Sequence, residues 1–167
     1  CRQVLYEESM FDGQKVSKSR IITSVDYSMV SMEAFEIYAA NHDIHVMDFV
    51  LKLDAYSYYM MNLLDYLIGN TDRHWGNWGF LVDNRTNQPV RLFDLMDLNQ
   101  TFLAYDTPDG ANCMTTGNRK MSQREAAVEA VKKIGLNQRA EIKDEWFEGR
   151  EKEREMFWCR FGILKEQ

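Results

Sequence analysis

The sequence predicts a single α+β domain that is mostly helical and contains one short β-hairpin near its middle. Three observations lead to this class. Apolar residues at helical spacing run from about Asp54 to Ile68, two apolar runs joined by a polar turn follow, and helix patterns fill the C-terminal third. With 167 residues, the chain is long enough for one domain with its own core and too short for two large ones.

The N-terminal part of the chain is predicted to be a small β segment of low regularity, covering residues 1–30. Short alternating runs at about residues 4–6 and 20–25 indicate strands. They lie on either side of Asp12-Gly13, a dipeptide that is typical of tight turns.

Three helical segments are predicted before the middle of the chain. Ser31 is a suitable N-cap for a helix over about residues 32–41. Asp43 is expected to cap the next helical piece. The strongest helix pattern covers about residues 54–68, and Gly69 follows where a C-terminal stop is expected.

A β-hairpin is predicted directly after the longest helix. Residues 78–82 and 90–93 are mainly apolar runs, and residues 83–89 form a polar turn between them. Because a hairpin folds back on itself, Asn77 at its entry and Asp94 at its exit are expected to lie close together. Two oxygen ligands placed in this way can share one metal ion.

The C-terminal third is predicted to be a long loop followed by two helices. Residues 104–121 contain the Gly, Pro, Thr and Asn residues that are typical of loops. Ser122 begins a capping-box pattern that opens a helix to about Ile134, with Gly135 as its stop. A final amphipathic helix is predicted over about residues 139–161. Its expected core residues are Ile142, Trp146, Phe157, Trp158 and Phe161.

The residues that can carry chemistry are concentrated in the run Asn-Thr-Asp-Arg-His-Trp-Gly-Asn, which spans residues 70–77. Phosphoryl transfer needs one carboxylate to orient or deprotonate the attacking hydroxyl, and oxygen ligands to hold Mg²⁺ against the phosphates. Asp72 is a suitable carboxylate, and Asn77 and Asp94 are suitable oxygen ligands in the order that protein kinases use. The pattern therefore predicts a magnesium-dependent phosphotransferase site.

Other polar residues near this run allow more than one interpretation. His74 either contacts the transferring phosphate and orients Asp72, or is a buried imidazole that braces the loop. Arg73 is interpreted as a surface residue that can pair with an acidic group or a phosphate. Asn70 is expected to shape the turn. Asp97 is expected to act as a cap or turn residue, with a further metal ligand as the alternative.

The motif just described, followed by Trp-Gly-Phe-Leu, resembles the Asn-x-Asp-x-His-x-x-Asn catalytic loop of HipA-like bacterial serine/threonine kinases. The phosphatidylinositol 3/4-kinases carry a related Asp-Arg-His-x-x-Asn loop. The similarity covers about residues 54–100, and a weaker order of elements extends it back to about residue 20. The resemblance implies a protein-kinase-like large (C-terminal) lobe over residues 31–167, with residues 1–30 as a remnant of the small lobe and hinge.

The resemblance also implies roles for individual residues. Asp72 would be the catalytic aspartate that takes the proton from the substrate hydroxyl. Asn77 and Asp94 would hold Mg²⁺ that bridges the phosphates of ATP, and His74 would lie beside the γ-phosphate. The implied acceptor is a Ser or Thr hydroxyl of a protein substrate.

The sequence departs from the kinase pattern in three ways. There is no Gly-rich loop, and no Val-Ala-x-Lys-type strand precedes the catalytic loop, since Lys15 and Lys18 lie in a polar stretch without strand context. The segment Asp94-Leu95-Met96 replaces the Asp-Phe-Gly of eukaryotic-type kinases. The small lobe is therefore expected to be largely absent. The chain, which starts at Cys1, is expected to be a fragment with weak or no activity of its own.

Three alternatives to a protein kinase stay open at this point. A metal-dependent phosphoesterase would use Asp72 and His74 as half of a dinuclear site, although the chain has only three histidines with which to complete one. A kinase-derived binding module without catalysis would fit the missing small lobe and the acidic helical tail. A lipid or small-molecule kinase would use the same loop, because these residues do not distinguish one acceptor hydroxyl from another.

Composition limits the expected partners and compartment. A formal net charge of −6 argues against a nucleic-acid partner, because phosphate binding usually requires a basic surface. The three cysteines are far apart and offer no disulfide framework, which favours a reducing, cytoplasmic location. No segment has the apolar run that a membrane span requires, so no membrane partner is expected. The sequence does not determine the oligomeric state.

Overall fold

The structure is a computed structural model, and it describes residues 2–103, 105–136 and 141–167. These residues form four α-helices and two small antiparallel sheets, which confirms the predicted α+β class. The elements in chain order are β1 (Tyr6–Phe11), β2 (Gln14–Ser19), β3 (Tyr27–Ser31), α1 (Met32–Ala40), α2 (Val46–Ile68), β4 (Gly79–Asp83), β5 (Gln88–Leu92), α3 (Gln123–Ile134), a 3-10 turn (Asp144–Phe147) and α4 (Glu151–Lys165).

The N-terminal hairpin of β1 and β2 is more regular than the sequence predicts, and its strands lie elsewhere. Asp12 and Gly13 both have positive φ (49° and 75°), as a two-residue hairpin turn requires, so the strands start directly beside them. The expected strand at residues 20–25 is wrong. Lys15 and Lys18 do lie on a strand, contrary to expectation, because ion pairs to Glu8 (3.0 Å) and Glu7 (3.1 Å) replace apolar cross-strand contacts.

The second sheet has the strand order β3-β4-β5 and contains the predicted central hairpin. Gly79 at the start of β4 is required there, because a Cβ atom would lie 2.8 Å from Ser31 Cα on β3. Ser31 also begins α1 as predicted, since its hydroxyl accepts a hydrogen bond from the Ala34 N–H at 3.2 Å. This arrangement fixes α1 beside the entry to the hairpin.

The two predicted helical pieces before Gly69 are joined into α2. Asp43 does not cap it. Asp43 has a left-handed φ of 54°, and the His45 side chain is the N-cap instead. A kink at Asp54 (φ −155°, ψ 62°) separates the pieces, and its carboxylate accepts hydrogen bonds from the N–H groups of Ser57 (3.2 Å) and Leu92 (3.1 Å). The kink therefore joins α2 to the end of β5.

The C-terminal helices differ in how well the sequence predicts them. The capping box at Ser122 opens α3 as predicted, and the helix ends at Gly135. The last helix begins at Glu151 rather than near residue 139. Residues 139 and 140 lie outside the described ranges, but residues 141–150 contain only a 3-10 turn, and Gly149 has a left-handed φ of 70°. A left-handed glycine interrupts a helix, which explains the later start.

Burial corrects the expected core of this segment. Phe157 and Phe161 are buried as predicted, and Ile142 packs against the core. Trp146 (58% exposed) and Trp158 (38% exposed) are not core residues. For Trp146 the reason is that it belongs to the 3-10 turn and not to the amphipathic helix on which the expectation was based.

A completely buried arginine joins α4 to the end of α2. Arg160 is 0% exposed and donates hydrogen bonds to the carbonyls of Tyr66 (2.6 Å) and Thr107 (2.7 Å). Its guanidinium lies 5.0 Å and 4.3 Å from the ring centres of Tyr66 and Tyr105. Burial lowers the pKa of Arg160, and the helix carbonyl and aromatic faces offset part of the cost of burying its charge.

No helix in the described part of the chain combines the length and apolar character needed to cross a bilayer. The longest of them, α2, has 23 residues and carries Asp48, Lys52, Asp54 and Asp65 along its length. This agrees with the sequence, which contains no candidate span. The cytoplasmic location stays a prediction.

Gly69→Ala is expected to destabilise the protein by about 2–4 kcal/mol, because the residue has a left-handed φ and its added Cβ would overlap the Tyr105 ring. Gly149→Ala is the matched control. It has a similar φ but no heavy atom within 4 Å of the added Cβ, so a loss of about 1 kcal/mol is expected. Urea unfolding of both variants measures the difference. Equal losses would show that Gly69 does not lie against Tyr105.

Candidate active site

The predicted catalytic loop begins at the sharp end of α2. Gly69 adopts the left-handed conformation (φ 62°), and its N–H is directed back to the last turn of the helix. The next residue, Asn70, donates its N–H to the Asp65 carbonyl at 2.9 Å. The loop then runs to Asn77 and continues into β4. Its position is therefore set by a rigid helix on one side and a sheet on the other.

A buried ion pair holds the loop from beneath. Arg73 (3% exposed) donates from Nε and Nη2 to the two carboxylate oxygens of Asp65, at 2.9 Å and 3.0 Å. Its Nη1 donates to the carbonyls of Asn77 and Met96, both at 2.8 Å. Asn70 Nδ2 adds a bond to Asp65 at 2.9 Å. One guanidinium thus joins α2, the end of the loop and the segment after β5.

This geometry corrects the expected surface position of Arg73 and confirms that it pairs with an acidic group. The side chain is buried and all its described bonds are to protein groups, so it supports the loop from within the core. The signal that could have revealed it is Asp65, a charged residue among the apolar residues at the end of α2. A buried carboxylate in that position needs a cationic partner nearby.

Asp72 and Asn77 are brought into direct contact. Asn77 is 9% exposed, and its Nδ2 donates to the Asp72 backbone carbonyl at 2.8 Å and to Asp72 Oδ2 at 3.4 Å. Its amide oxygen has no hydrogen-bond partner among the described residues. The Asp72 side chain is 36% exposed. The contact therefore orients a carboxylate that solvent can reach and leaves an amide oxygen available as a ligand.

His74 lies beside this carboxylate but is not the buried imidazole that one interpretation expected. Its side chain is 48% exposed, with Nε2 3.8 Å from Asp72 Oδ1. Nδ1 accepts the Gly76 N–H at 3.0 Å, so the neutral ring carries its proton on Nε2, nearer to Asp72. The ring does brace the loop through this backbone bond. It also leaves the Nε2 N–H near the Asp72 carboxylate.

Asp94 and Asn77 line one cavity of about 260 Å³, as hairpin closure predicts for the two ends of β4 and β5. The Asp94 carboxylate accepts a hydrogen bond from Arg91 Nη1 at 2.6 Å, and that nitrogen also donates to the Leu92 carbonyl. An adjacent guanidinium neutralises much of the charge that a metal ligand would offer. Asp94 is therefore on the cavity wall, but paired.

Asp97 differs from Asp94 in that its carboxylate has no partner within the described ranges. It is partly buried and has a left-handed φ of 54°, which agrees with the predicted turn role. Its carboxylate forms no ion pair or hydrogen bond within the described ranges. The preceding residue, Met96, shares the Arg73 nitrogen with Asn77, so this segment is held against the end of the loop. Asp94 lines the same cavity as Asn77, whereas Asp97 is not among its lining residues, so a metal-ligand role for Asp97 stays a prediction.

The cavity also contains an unpaired polar group. Trp78 lines it and is 4% exposed, and its indole Nε1 has no hydrogen-bond partner in the part of the chain that the structure describes. An amide oxygen and carboxylates are ligands that suit Mg²⁺, which prefers oxygen. Asn77 and Asp94 therefore supply oxygen atoms of the kind that Mg²⁺ takes as ligands, and ATP binding stays a prediction.

The segment after the hairpin is attached to the loop through polar contacts. Gln123 of α3 donates to the Asn70 carbonyl at 2.6 Å, and Trp75 Nε1 donates to the Met114 carbonyl at 2.9 Å. Burial raises the pKa of the Cys113 thiol nearby, so it stays protonated and is a poor nucleophile. Sequence reasoning assigned this segment only as a loop. It is part of the support for the loop that carries Asp72.

A solved structure supplies a comparison for the fold. The crystal structure of a Helicobacter pylori proinflammatory kinase, CtkA, matches this chain with a TM-score of 0.67. The match covers 98% of this chain and 75% of that one, at 11% sequence identity. No protein-family model matches the sequence, and no curated protein matches it either. The comparison shows that the chain has a kinase-like fold. The division into lobes and the roles of the site residues stay predictions.

Asp65→Asn is expected to destabilise the protein by about 3–5 kcal/mol, because it leaves the buried Arg73 charge without its partner. The matched control is Asp109→Asn, which breaks an Asp–Arg pair whose side chains are 67% and 43% exposed. The control is expected to change stability by less than about 1 kcal/mol. Chemical unfolding of both variants measures this. A small effect of Asp65→Asn would contradict the buried pair.

Proposed function

We propose that this chain is a magnesium- and ATP-dependent phosphotransferase of the HipA-like kinase type. The observation that carries the proposal is the contact between Asp72 and Asn77 on a loop that the buried Arg73–Asp65 pair holds in place. The kinase-like fold supports it, and so does the family resemblance, whose pattern the helix before the loop and the hairpin after it fit. Positioning and charge stabilisation are most of what phosphoryl transfer asks of a protein.

The proposed step uses Asp72 as the group that receives a proton. The acceptor hydroxyl oxygen forms a bond to the γ-phosphorus of ATP while the bond from that phosphorus to the β–γ bridging oxygen breaks. The hydroxyl proton passes to Asp72 and ADP leaves. Solvent exposure of Asp72 and its orientation by Asn77 support this role. His74, with its Nε2 proton nearby, can donate a hydrogen bond to the transferring phosphate.

Bound Mg²⁺ neutralises the developing charge on the phosphates. In this chain the Asn77 amide oxygen and a carboxylate would hold the ion. Asp94 is the first candidate carboxylate, because it lines the cavity with Asn77. For Asp94 to serve, Arg91 has to release it. Asp97, the alternative carboxylate, does not line this cavity. The acceptor is proposed to be a protein Ser or Thr, on the basis of family resemblance.

A second candidate function is a kinase-derived binding module that performs no transfer. The ion pair between Arg91 and Asp94 favours it, because an arginine in this position competes with a metal ion for the carboxylate. Both candidates have the same fold. They differ in whether the loop binds nucleotide with magnesium.

Thermal unfolding with ATP, with and without Mg²⁺, separates the two candidates. At a nucleotide concentration about 100-fold above Kd, binding adds about 2.7 kcal/mol, which raises Tm by roughly 5–10 °C. The proposal expects a magnesium-dependent rise that Asn77→Ala abolishes. Asp94→Asn and Asp97→Asn identify the second ligand, since only the variant that lacks it should lose the magnesium dependence. No rise with wild-type protein would reject the phosphotransferase and favour the binding module.

Asp72→Asn is expected to keep this magnesium-dependent Tm rise but to lower phosphate transfer by about 10²–10⁴-fold, because the proton acceptor is lost while the metal ligands are retained. Transfer from radiolabelled ATP to a Ser-containing protein or to water measures it. A variant as active as wild type would exclude Asp72 as the proton acceptor.

A further inference from the structure

A second cavity of about 500 Å³ lies between α1, the first turns of α2, residues 116–119 and α3. Its size is in the range of ligand-binding clefts. It is a groove with an apolar floor and partly buried side chains. The floor residues are Ile44, Val46, Met47, Leu51 and Trp75. This is enough apolar surface to bury one or two side chains of a bound segment.

The rim of the groove is acidic. Glu36, Asp48 and Glu129 line it, and Arg119 is the only Arg or Lys among its lining residues. Arg119 is already paired with Glu129 at 2.9 Å. Asp48 is paired with His45 at 3.1 Å only when that imidazole is protonated. Glu36 has no ion pair among the described residues. The groove therefore has excess negative charge around an apolar floor, which complements a cationic, partly apolar ligand.

The groove lies near the candidate active site, because Trp75 on its floor belongs to the same loop as Asp72. Trp75 on its floor lies three positions after Asp72, so their Cα atoms are at most about 11 Å apart. The Glu33 N–H donates to the Trp75 carbonyl at 3.1 Å, which holds α1 against the loop. The Glu33 carboxylate lies 4.0 Å from the Cβ position of Gly76 and has no ion pair in the described ranges. The negative charge thus extends from the groove to the loop.

We infer that this groove binds the acceptor as an extended peptide, with an apolar side chain on the Trp75 floor and a Lys or Arg against Glu36 and Glu33. The spacing follows from the geometry. An extended chain advances about 3.3 Å per residue, so the apolar anchor lies about three residues from the hydroxyl that meets Asp72. The inference rests on the proposed function and specifies its substrate as a basic, apolar peptide rather than a lipid or a small molecule.

The test uses a fluorescein-labelled peptide, Lys-Leu-Gly-Gly-Ser-Gly-Gly-Leu-Lys, which offers the same features in either chain direction. Binding is followed by anisotropy without nucleotide, so the result does not depend on transfer. The inference expects saturable binding that falls at high salt. Replacing both lysines with glutamates, or both leucines with glycines, is expected to weaken binding by about tenfold or more.

Charge reversal in the protein makes the test specific. Glu36→Lys is expected to weaken binding of the lysine peptide by about tenfold and to strengthen binding of the glutamate peptide, because the charge at this position of the rim changes sign. Glu155→Lys on the exposed side of α4 changes the net charge by the same amount and is the matched control. It is expected to leave both affinities unchanged. If the two variants changed peptide binding equally, binding would depend only on the net charge of the protein, and the inference would be overturned.

Failure of the inference and failure of the proposed function give different results. No peptide binding together with a magnesium-dependent Tm rise on adding ATP would reject the groove and leave the phosphotransferase in place. Peptide binding with no Tm rise would support a peptide-binding module and reject transfer. Binding of anionic lipid vesicles in preference to the lysine peptide would overturn the peptide assignment.

Discussion

The buried pair of Arg73 and Asp65 is the interaction on which the candidate site depends. Removing two charges from water is costly, and here the cost is offset by a bidentate geometry and by further bonds to the carbonyls of Asn77 and Met96. These bonds connect parts of the chain that are distant in sequence: the helix before the loop, the end of the loop and the segment after the hairpin. The candidate ligands lie at the points so connected, so their spacing follows from this one guanidinium.

A second buried arginine performs a related task one turn away. Arg160 binds the Tyr66 carbonyl at the end of α2, and Gly69 makes the sharp turn beside it. The two arginines thus fix the last turn of α2, one from the loop that follows it and one from the C-terminal helix. A loop held in this way keeps Asp72 exposed while its backbone stays ordered, which is the condition for positioning a hydroxyl and a phosphate without reorganisation. The acidic groove adjoins the same loop through Trp75.

Local signals account for what the sequence predicts well. The caps at Ser31 and Ser122, the stop at Gly69 and the central hairpin depend on neighbouring residues, and each is confirmed. The failures have longer-range causes. Strands β1 and β2 are polar and held by ion pairs, so hydrophobic alternation does not reveal them. The burial of Arg73 and the pairing of Asp94 with Arg91 depend on contacts that no spacing rule encodes. The motif indicated which residues form the candidate site. Which of their charges are buried or paired could be read only from the structure.

Paramagnetic NMR is the most direct test of the central claim, that nucleotide and metal bind at this loop. The chain has three histidines, His42, His45 and His74, so a spectrum of histidine-labelled protein is simple to assign. Mn²⁺ with ATP should broaden the His74 imidazole signal most, because paramagnetic broadening falls steeply with distance, and Mn²⁺ alone should broaden it much less. An unaffected His74 signal, or equal broadening of all three, would contradict the account.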